Sequence, residues 1–320
     1  MMGRRGAAAI LAVAVGVAVG SVAGCAGRVH AAAGTTVTFD FGGRQREYIV
    51  HPPAHPADGP LPVVLAFHGG GGTAPQMERE TGFDRLSDDA GFIAVYPAGY
   101  ERSWSDSRGA DTKAGAAGVD DVGFVSAIID RLVADNHADP ARIFATGMSN
   151  GAIFTEDLGC RLGGRITAIA PVAGELSQPA AATCQPPQPV SVLEIHGTDD
   201  PIVPYAGGPV RITSNGHGGP GAVPVSSVAD TQRQWLSVDG CTAPAAVDTL
   251  PDTAHDGTTV TVSVTGGCRD GSQVQLYSVA GGGHTWPDGT QYLPQAIVGK
   301  VTRQFGASAV IWQFFSTLHR

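Results

Sequence analysis

Four stretches of this 320-residue chain carry groups that together can transfer an acyl group. The first is Gly147-Met-Ser149-Asn-Gly151, preceded by the β-prone run Arg142 to Thr146 and followed by a helix-compatible segment, Ala152 to Leu162. A serine on a sharp strand-to-helix turn is lifted above the sheet, and small residues two positions away on either side let that turn close. The backbone N–H of Asn150 is then free to donate to an oxyanion. Such a serine needs a base, a group that orients the base, and a second oxyanion donor. Ile195-His-Gly-Thr-Asp-Asp-Pro-Ile-Val-Pro-Tyr205 offers Asp199 or Asp200 as the orienter. Val279-Ala-Gly-Gly-Gly-His284-Thr-Trp286-Pro287 offers His284 as the base. His68-Gly-Gly-Gly-Gly72 offers free backbone N–H groups. The pentapeptide alone carries limited weight in a chain with 45 glycines; the combination carries the argument.

These groups must be brought to one edge of a sheet. Leu61 to Phe67, Phe92 to Tyr96, Arg142 to Thr146, Ile166 to Val172, Val190 to Ile195 and Val274 to Val279 are short apolar runs with little alternation. Such runs suit strands covered on both faces of a parallel sheet. Helical stretches are expected at Gln76 to Ala90, Asp121 to His137, Ser227 to Val238 and Ala307 to Leu318, with Asp120 or Asp121 capping the second. Thr35 to Phe41 and Arg44 to Val50, joined by Gly42-Gly43, read as an antiparallel hairpin at one sheet edge. Thr258 to Val264 reads as a small antiparallel excursion, and the Gly/Pro-rich stretch Tyr205 to Pro224 as a surface loop. The fold class is therefore α/β, a mostly parallel central sheet with helices on both faces. In such a sheet the reactive groups belong just past the carboxyl ends of the strands, where all four stretches fall.

Composition narrows the function. Net charge is −9 with no dense basic stripe, which argues against nucleic-acid binding. Hydrophobic residues make up 42 %, enough for a sizeable core and too many for a disordered chain. Arg4 and Arg5 precede an apolar run, Ala7 to Gly20, the layout of an export signal. That run ends in Val22-Ala-Gly-Cys25, which resembles a bacterial lipobox. The expected organisation is a lipoprotein signal peptide at 1–24, a tether at 25–34 beginning with a lipidated Cys25, and one catalytic domain at 35–320. The competing readings are a plain signal peptide cleaved near Ala31 to Ala33 and a weak membrane anchor. Four cysteines remain, and an even set in an exported chain implies two disulfides. Sequence proximity favours Cys160 with Cys184 and Cys241 with Cys268. No C-x-x-C pair and no H-E-x-x-H is present, so no metal site is expected.

Taken together, the Gly-Met-Ser-Asn-Gly turn, the His-Gly-Thr-x-Asp-x-x-Val-Pro-Tyr run and the Gly-Gly-Gly-His-Thr-Trp-Pro run resemble the esterase family of polyhydroxybutyrate depolymerases and feruloyl or acetylxylan esterases. Val119 to Val125 and Asp139-Pro-Ala-Arg-Ile143 are similar to that family as well. With the lipobox, the chain resembles lipoprotein esterases of mycobacterial type. The resemblance covers nearly all of the chain after the leader and implies an α/β-hydrolase fold, in which the triad runs Ser, Asp, His. It implies Ser149 as nucleophile, His284 as base and Asp200, the second of the pair, as the acid. It implies Asn150 and Gly70 as oxyanion donors, with the four glycines at 69–72 leaving the second donor open. Two departures stand out: Ala152 where a further glycine is common, and Asp288 after Trp-Pro where glycine is usual.

Trp286, Trp104 and Tyr205 are candidates for substrate binding, with Trp286 expected at the pocket rim. His196 reads as structural and His68 as a group that orients the glycine loop. The expected activity is hydrolysis of carboxylic esters, whether short acyl, hydroxycinnamoyl, acetyl-sugar or hydroxyalkanoate, without a cofactor and as a monomer. Two alternatives remain: a carbohydrate-binding protein on an esterase fold, and an acyltransferase using the same triad.

Overall fold

The computed structural model describes residues 34–212 and 221–320. The leader, the tether and Cys25 lie outside the described residues, as do positions 213–220 of the Gly/Pro-rich loop. Among the described residues no helix is long and apolar enough to cross a membrane.

Twelve strands are described: β1 Thr35–Phe41, β2 Arg44–His51, β3 Leu61–Phe67, β4 Ile93–Pro97, β5 Ala138–Met148, β6 Ala168–Val172, β7 Ser191–Gly197, β8 Gly208–Pro209, β9 Pro224–Val225, β10 Ala246–Thr249, β11 Thr259–Thr265 and β12 Val274–Ala280. The helices are α1 Ala74–Thr81, α2 Phe83–Ala90, α3 Lys113–Ala116, α4 Asp121–Asp135, α5 Asn150–Leu162, α6 Gln178–Thr183, α7 Val228–Val238, α8 Gln295–Val298 and α9 Ala307–Ser316. Ten strands form one sheet in the order β1-β2-β4-β3-β5-β6-β7-β12-β11-β10. The six from β4 to β12 pair in parallel. Every residue of β3, β4, β6 and β7 is buried, as central strands of a parallel sheet require; of the four, β7 alone carries a buried carboxyl and a buried imidazole, Glu194 and His196.

The edges are antiparallel. At one, β1 and β2 form the expected hairpin; Phe41 pairs with Arg44 across a two-residue loop of Gly42 and Gly43. Both glycines have positive φ (57° and 72°), which a tight hairpin of this kind needs and side chains resist. At the other edge the expected excursion is larger: β11 pairs with β12 and β10 with β11, so the main sheet continues. The helix expected over 76–90 is two helices. Gly82, at φ 60°, ends α1 in the left-handed conformation and starts α2, which turns Phe83 into the core.

Two hydrophobic clusters cover the two sheet faces. One joins Val63, Leu65 and Phe67 to Phe124, Val125 and Ile128 of α4, Phe154 and Leu158 of α5, and Trp235 of α7. The other joins Val64 and Ala66 to Met77 of α1, Phe83 of α2, and Ile311 and Phe315 of α9. Alternate residues of β3 thus serve opposite layers, the period-two rule of a strand. Both expected disulfides are present, Cys160–Cys184 and Cys241–Cys268.

Candidate active site

Ser149 sits between the end of β5 and the start of α5 with φ 59° and ψ −123°, a backbone region that side chains resist. The turn is closed by contacts that exclude larger neighbours. A Cβ on Gly151 would collide with the carbonyl oxygens of Phe67 and His68, and one on Gly147 with that of Gly151. Ser149 occupies the N-cap position of α5, yet its hydroxyl makes no capping bond. Its side chain is therefore uncommitted, and the residue is half-buried. The first N–H groups of a helix have no partner inside it, so that of Asn150 points out of the turn with none to satisfy it there.

The glycine loop after β3 narrows the second donor. Gly71 N–H donates to Arg102 O (2.8 Å) and Gly72 N–H to Gly69 O (2.9 Å). That leaves the N–H groups of Gly69 and Gly70 uncommitted among the described residues. A Cβ on Gly69 would stand 3.4 Å from Ser149 Cβ, so this loop borders the serine directly. His68 braces it: Nδ1 bonds Gly69 O (2.8 Å) while Nε2 accepts from Gly99 N–H (3.0 Å). Burial pushes the His68 pKa down to about 4, which keeps the ring neutral and able to serve as donor and acceptor at once.

Past β7 and β12, Asp200 and His284 are joined. His284 Nδ1 lies 2.7 Å from Asp200 Oδ2. The other carboxylate oxygen accepts from the backbone N–H of Ile202 (2.7 Å) and Val203 (2.9 Å). Burial would raise the Asp200 pKa, but the positive charge available on His284, the hydrogen bonds and His196 hold it well below the usual carboxylate range. An ionised Asp200 fixes the His284 tautomer with the proton on Nδ1 and leaves Nε2 as a base. Asp199 bonds only its neighbour Thr198 through its side chain and is exposed. No hydrogen bond connects Ser149 Oγ to His284 among the described residues; a contact of this kind between a nucleophile and its base often tightens only when substrate binds. His284 itself is only 2 % exposed.

The two tryptophan candidates are packed inside the protein, and Tyr205 is half-buried. Trp104 is fully buried, stacked on Phe154 (ring centroids 5.2 Å apart), with Nε1 donating to His68 O (2.9 Å). Trp286 is 1 % exposed, edge-on to Phe83, with Nε1 donating to Ser308 Oγ (3.2 Å). A large indole so close to the chemistry gains more from apolar burial than from exposure, and each N–H finds a partner. Tyr205 is half-buried, edge-on to His196, with its hydroxyl 2.9 Å from Ser278 Oγ. Of the two departures noted above, Asp288 has φ 61°, so it occupies the left-handed conformation for which glycine is usual.

Other residues reach the site that sequence reasoning passed over. Tyr292, 43 % exposed, donates through its hydroxyl to His284 O (3.1 Å). Asp106 accepts from the Asn150 side chain (2.7 Å) and pairs with Arg108. Glu175 bonds His196 (2.6 Å). Only loop folding brings Tyr292 and Asp106 there; Glu175, following a buried strand, was the legible one.

Residues 46–185, which include Ser149, match the family model described as "Esterase PHB depolymerase". A protein of Nocardia uniformis subsp. tsuyamanensis named as an esterase, NocK, is 32 % identical over 274 residues, covering 83 % of this chain and 78 % of its own. Feruloyl esterase B of Piromyces equi is 26 % identical over 74 % of this chain, which spans only 42 % of that longer protein. The acetyl xylan esterase structure from Aspergillus awamori superposes with a TM-score of 0.56 at 18 % identity, over 79 % of this chain and 94 % of that one, a likeness of fold. The molecule is a carboxylic ester hydrolase with an α/β-hydrolase fold, and the chain belongs to the esterase family of polyhydroxybutyrate depolymerases.

Proposed function

We propose that this esterase works through Ser149, His284 and Asp200 by an acyl-enzyme mechanism, and that it is exported to the cell envelope. The observation that carries the mechanism is the 2.7 Å Asp200–His284 pair at the same sheet edge as a serine with an uncommitted hydroxyl. His284 Nε2 takes the Ser149 proton as Oγ attacks the ester carbonyl. The alkoxide that develops on the carbonyl oxygen is met by the N–H of Asn150 and that of Gly70 or Gly69. The imidazolium then protonates the departing alcohol. Water, deprotonated by His284, releases the acid and restores Ser149.

The substrate class this reading favours is a small or soluble ester bearing a short acyl or hydroxycinnamoyl group, in keeping with the names of the feruloyl and acetylxylan esterase relatives. Two disulfides suit an oxidising compartment. We place a cleaved leader at 1–24, a tether at 25–34 anchored through a lipidated Cys25, and the catalytic domain at 35–320. Mass spectrometry of the mature N-terminus decides that point: an unmodified terminus beyond Cys25 rules out the anchor.

The decisive assay is hydrolysis of p-nitrophenyl acetate through octanoate and of methyl ferulate by wild type and Ser149→Ala, alongside fluorophosphonate labelling. The expected result is turnover and labelling by the wild type, and loss of nearly all the rate, up to roughly a millionfold, in the variant. Equal rates in both proteins would remove Ser149 from the mechanism.

A further inference from the structure

Asp200 has a second imidazole beside it. His196, on β7, places Nε2 3.4 Å from Asp200 Oδ2 and 3.0 Å from Val203 O. Its Nδ1 is 2.6 Å from Glu175 Oε1. Both side-chain carboxylates and the ring are fully buried. Nε2 faces only acceptors and must carry a proton. Nδ1 faces a carboxyl oxygen, so one more proton lies on that axis. With Asp200 ionised on the far side, the axis is best satisfied as Glu175⁻, His196⁺ and Asp200⁻, since a buried charge is tolerated only when paired.

The surroundings support that assignment. Glu194 of β7 and Glu156 of α5 are buried near Glu175. Gln232 Nε2 donates to one oxygen of Glu194 (2.7 Å) and Trp235 Nε1 to one of Glu156 (2.6 Å), both from α7. Among the described residues Glu156 Oε1, Glu175 Oε2 and Glu194 Oε1 have no hydrogen-bond partner. Burial, and after it repulsion from Glu175, raises Glu156 and Glu194 well above the ordinary carboxylate range, which favours their neutral acids. The remaining groups against His196 are neutral: Tyr205, edge-on to the ring, and Ser278 of β12 on the Tyr205 hydroxyl. Among the described residues no lysine or arginine pairs with Glu175 or Asp200.

We propose that His196 is a positioning residue: an imidazolium clamped between Glu175 and Asp200, it aims the Asp200 carboxylate at His284 and tempers that carboxylate's pull on the base. The proposal rests on the reading of Asp200 and His284 as acid and base. Without His196, Asp200 would hold a proton on His284 more strongly, and the base would be lost at low pH. With it, resting Asp200⁻, His196⁺ and Glu175⁻ carry one net negative charge, which the His284 imidazolium of the transition state cancels. Burial alone would lower the His196 pKa, but its two carboxylate partners push it up to about 10, consistent with a charge kept through the working range.

The test uses ring-¹⁵N-labelled histidine in the full protein and needs no turnover. In wild type, one histidine absent from His196→Gln should show both ring nitrogens protonated from pH 5 to 9. A neutral ring, or an Nδ1 shift diagnostic of metal ligation, overturns the proposal. The second arm compares wild type with Glu175→Gln/His196→Gln, which removes the buried pair as a unit. The His284 midpoint and the acid limb of kcat/KM should both move up by on the order of one pH unit. An unchanged or lowered His284 midpoint in a folded variant overturns it. If the double variant does not fold, the wild-type spectrum still decides. A charged His196 in a protein without esterase activity would defeat the proposed function and leave the assignment of charge intact.

Discussion

The Asn150 amide donates to Asp106 Oδ2 at 2.7 Å, which ties the first residue of α5 to the loop after β4. The same side chain accepts from Trp104 N–H (2.9 Å) and donates to Trp104 O (3.1 Å). One buried amide thus fixes the backbone of Trp104, whose indole in turn holds His68 O. The two loops that flank Ser149 are cross-linked through it.

Asn150→Ala keeps the backbone N–H that meets the oxyanion and deletes this link. It strands a buried N–H on Trp104 and removes one donor from Asp106. An unsatisfied buried group costs about 1–3 kcal/mol. The expected outcome is a stability loss in that range by urea unfolding, with a fall in kcat as the glycine loop loosens. Unchanged stability would mean that the loop is held without the amide.

Ser149 separates chemistry from backbone strain. Ser149→Ala removes the hydroxyl and keeps a Cβ at φ 59°. Ser149→Gly removes the hydroxyl and the Cβ, and only glycine visits this region at little cost. Both variants should be inactive, but the glycine variant should be more stable than the alanine variant by about 1 kcal/mol, after the opposing entropy of glycine in the unfolded chain. Equal midpoints in paired urea titrations would show that the turn carries no strain at this position.

The contrast between legible and illegible parts follows from what local sequence can encode. Apolar runs announce buried parallel strands, so Leu61–Phe67 falls where it was expected and the strand expected at Val190 to Ile195 is found at Ser191–Gly197, two residues longer at its carboxyl end. Glycine spacing around Ser149 reports a steric requirement, and it is met by contacts with Phe67, His68 and Gly151. Burial of an aromatic is different, because it depends on what packs from elsewhere. Trp286 stands two residues from His284 in sequence, yet its ring meets Phe83 on α2 and Ser308 on α9. Gly82 looks like one tolerated helical glycine, but its left-handed φ separates two helices. The Glu175–His196–Asp200 axis joins two segments, the loop after β6 and the end of β7 with the turn beyond it, and no single stretch shows it.

The two disulfides should differ in worth. They close loops of similar length, with sequence separations of 24 and 27, so the chain-entropy part is about 3–4 kcal/mol for each. Cys160, on α5, and Cys184, which ends α6, are also buried in the core, at 7 % and 2 % exposure, whereas Cys241 and Cys268 are half-buried. Replacing the first pair by alanine loses packing in addition to the constraint. Cys160→Ala/Cys184→Ala should therefore unfold at lower urea than Cys241→Ala/Cys268→Ala. Equal midpoints would show that burial of the first bridge adds nothing.

Asp239 predicts a stability change with pH. It ends α7 with a fully buried side chain; Oδ1 accepts from Val190 N–H (3.1 Å) and Oδ2 has no partner. Burial pushes its pKa up to about 7, against the opposing hydrogen bond from Val190 and the charge of Arg269. The unfolded carboxyl ionises near its ordinary value of 3.8, while the folded one retains its proton. The folded state therefore binds more protons between pH 3.8 and about 7, and stability from this group falls as pH rises through that window. Above it the full penalty persists. Asp239→Asn keeps an acceptor for Val190 and removes the charge. At about 1.4 kcal/mol per pKa unit, it should be more stable than wild type at pH 8 by on the order of 2–4 kcal/mol. The advantage should shrink toward pH 4, where the wild-type carboxyl is also neutral. Parallel urea curves for both proteins at pH 5 and pH 8 check the sign. A constant difference across that interval would show that Asp239 does not titrate there.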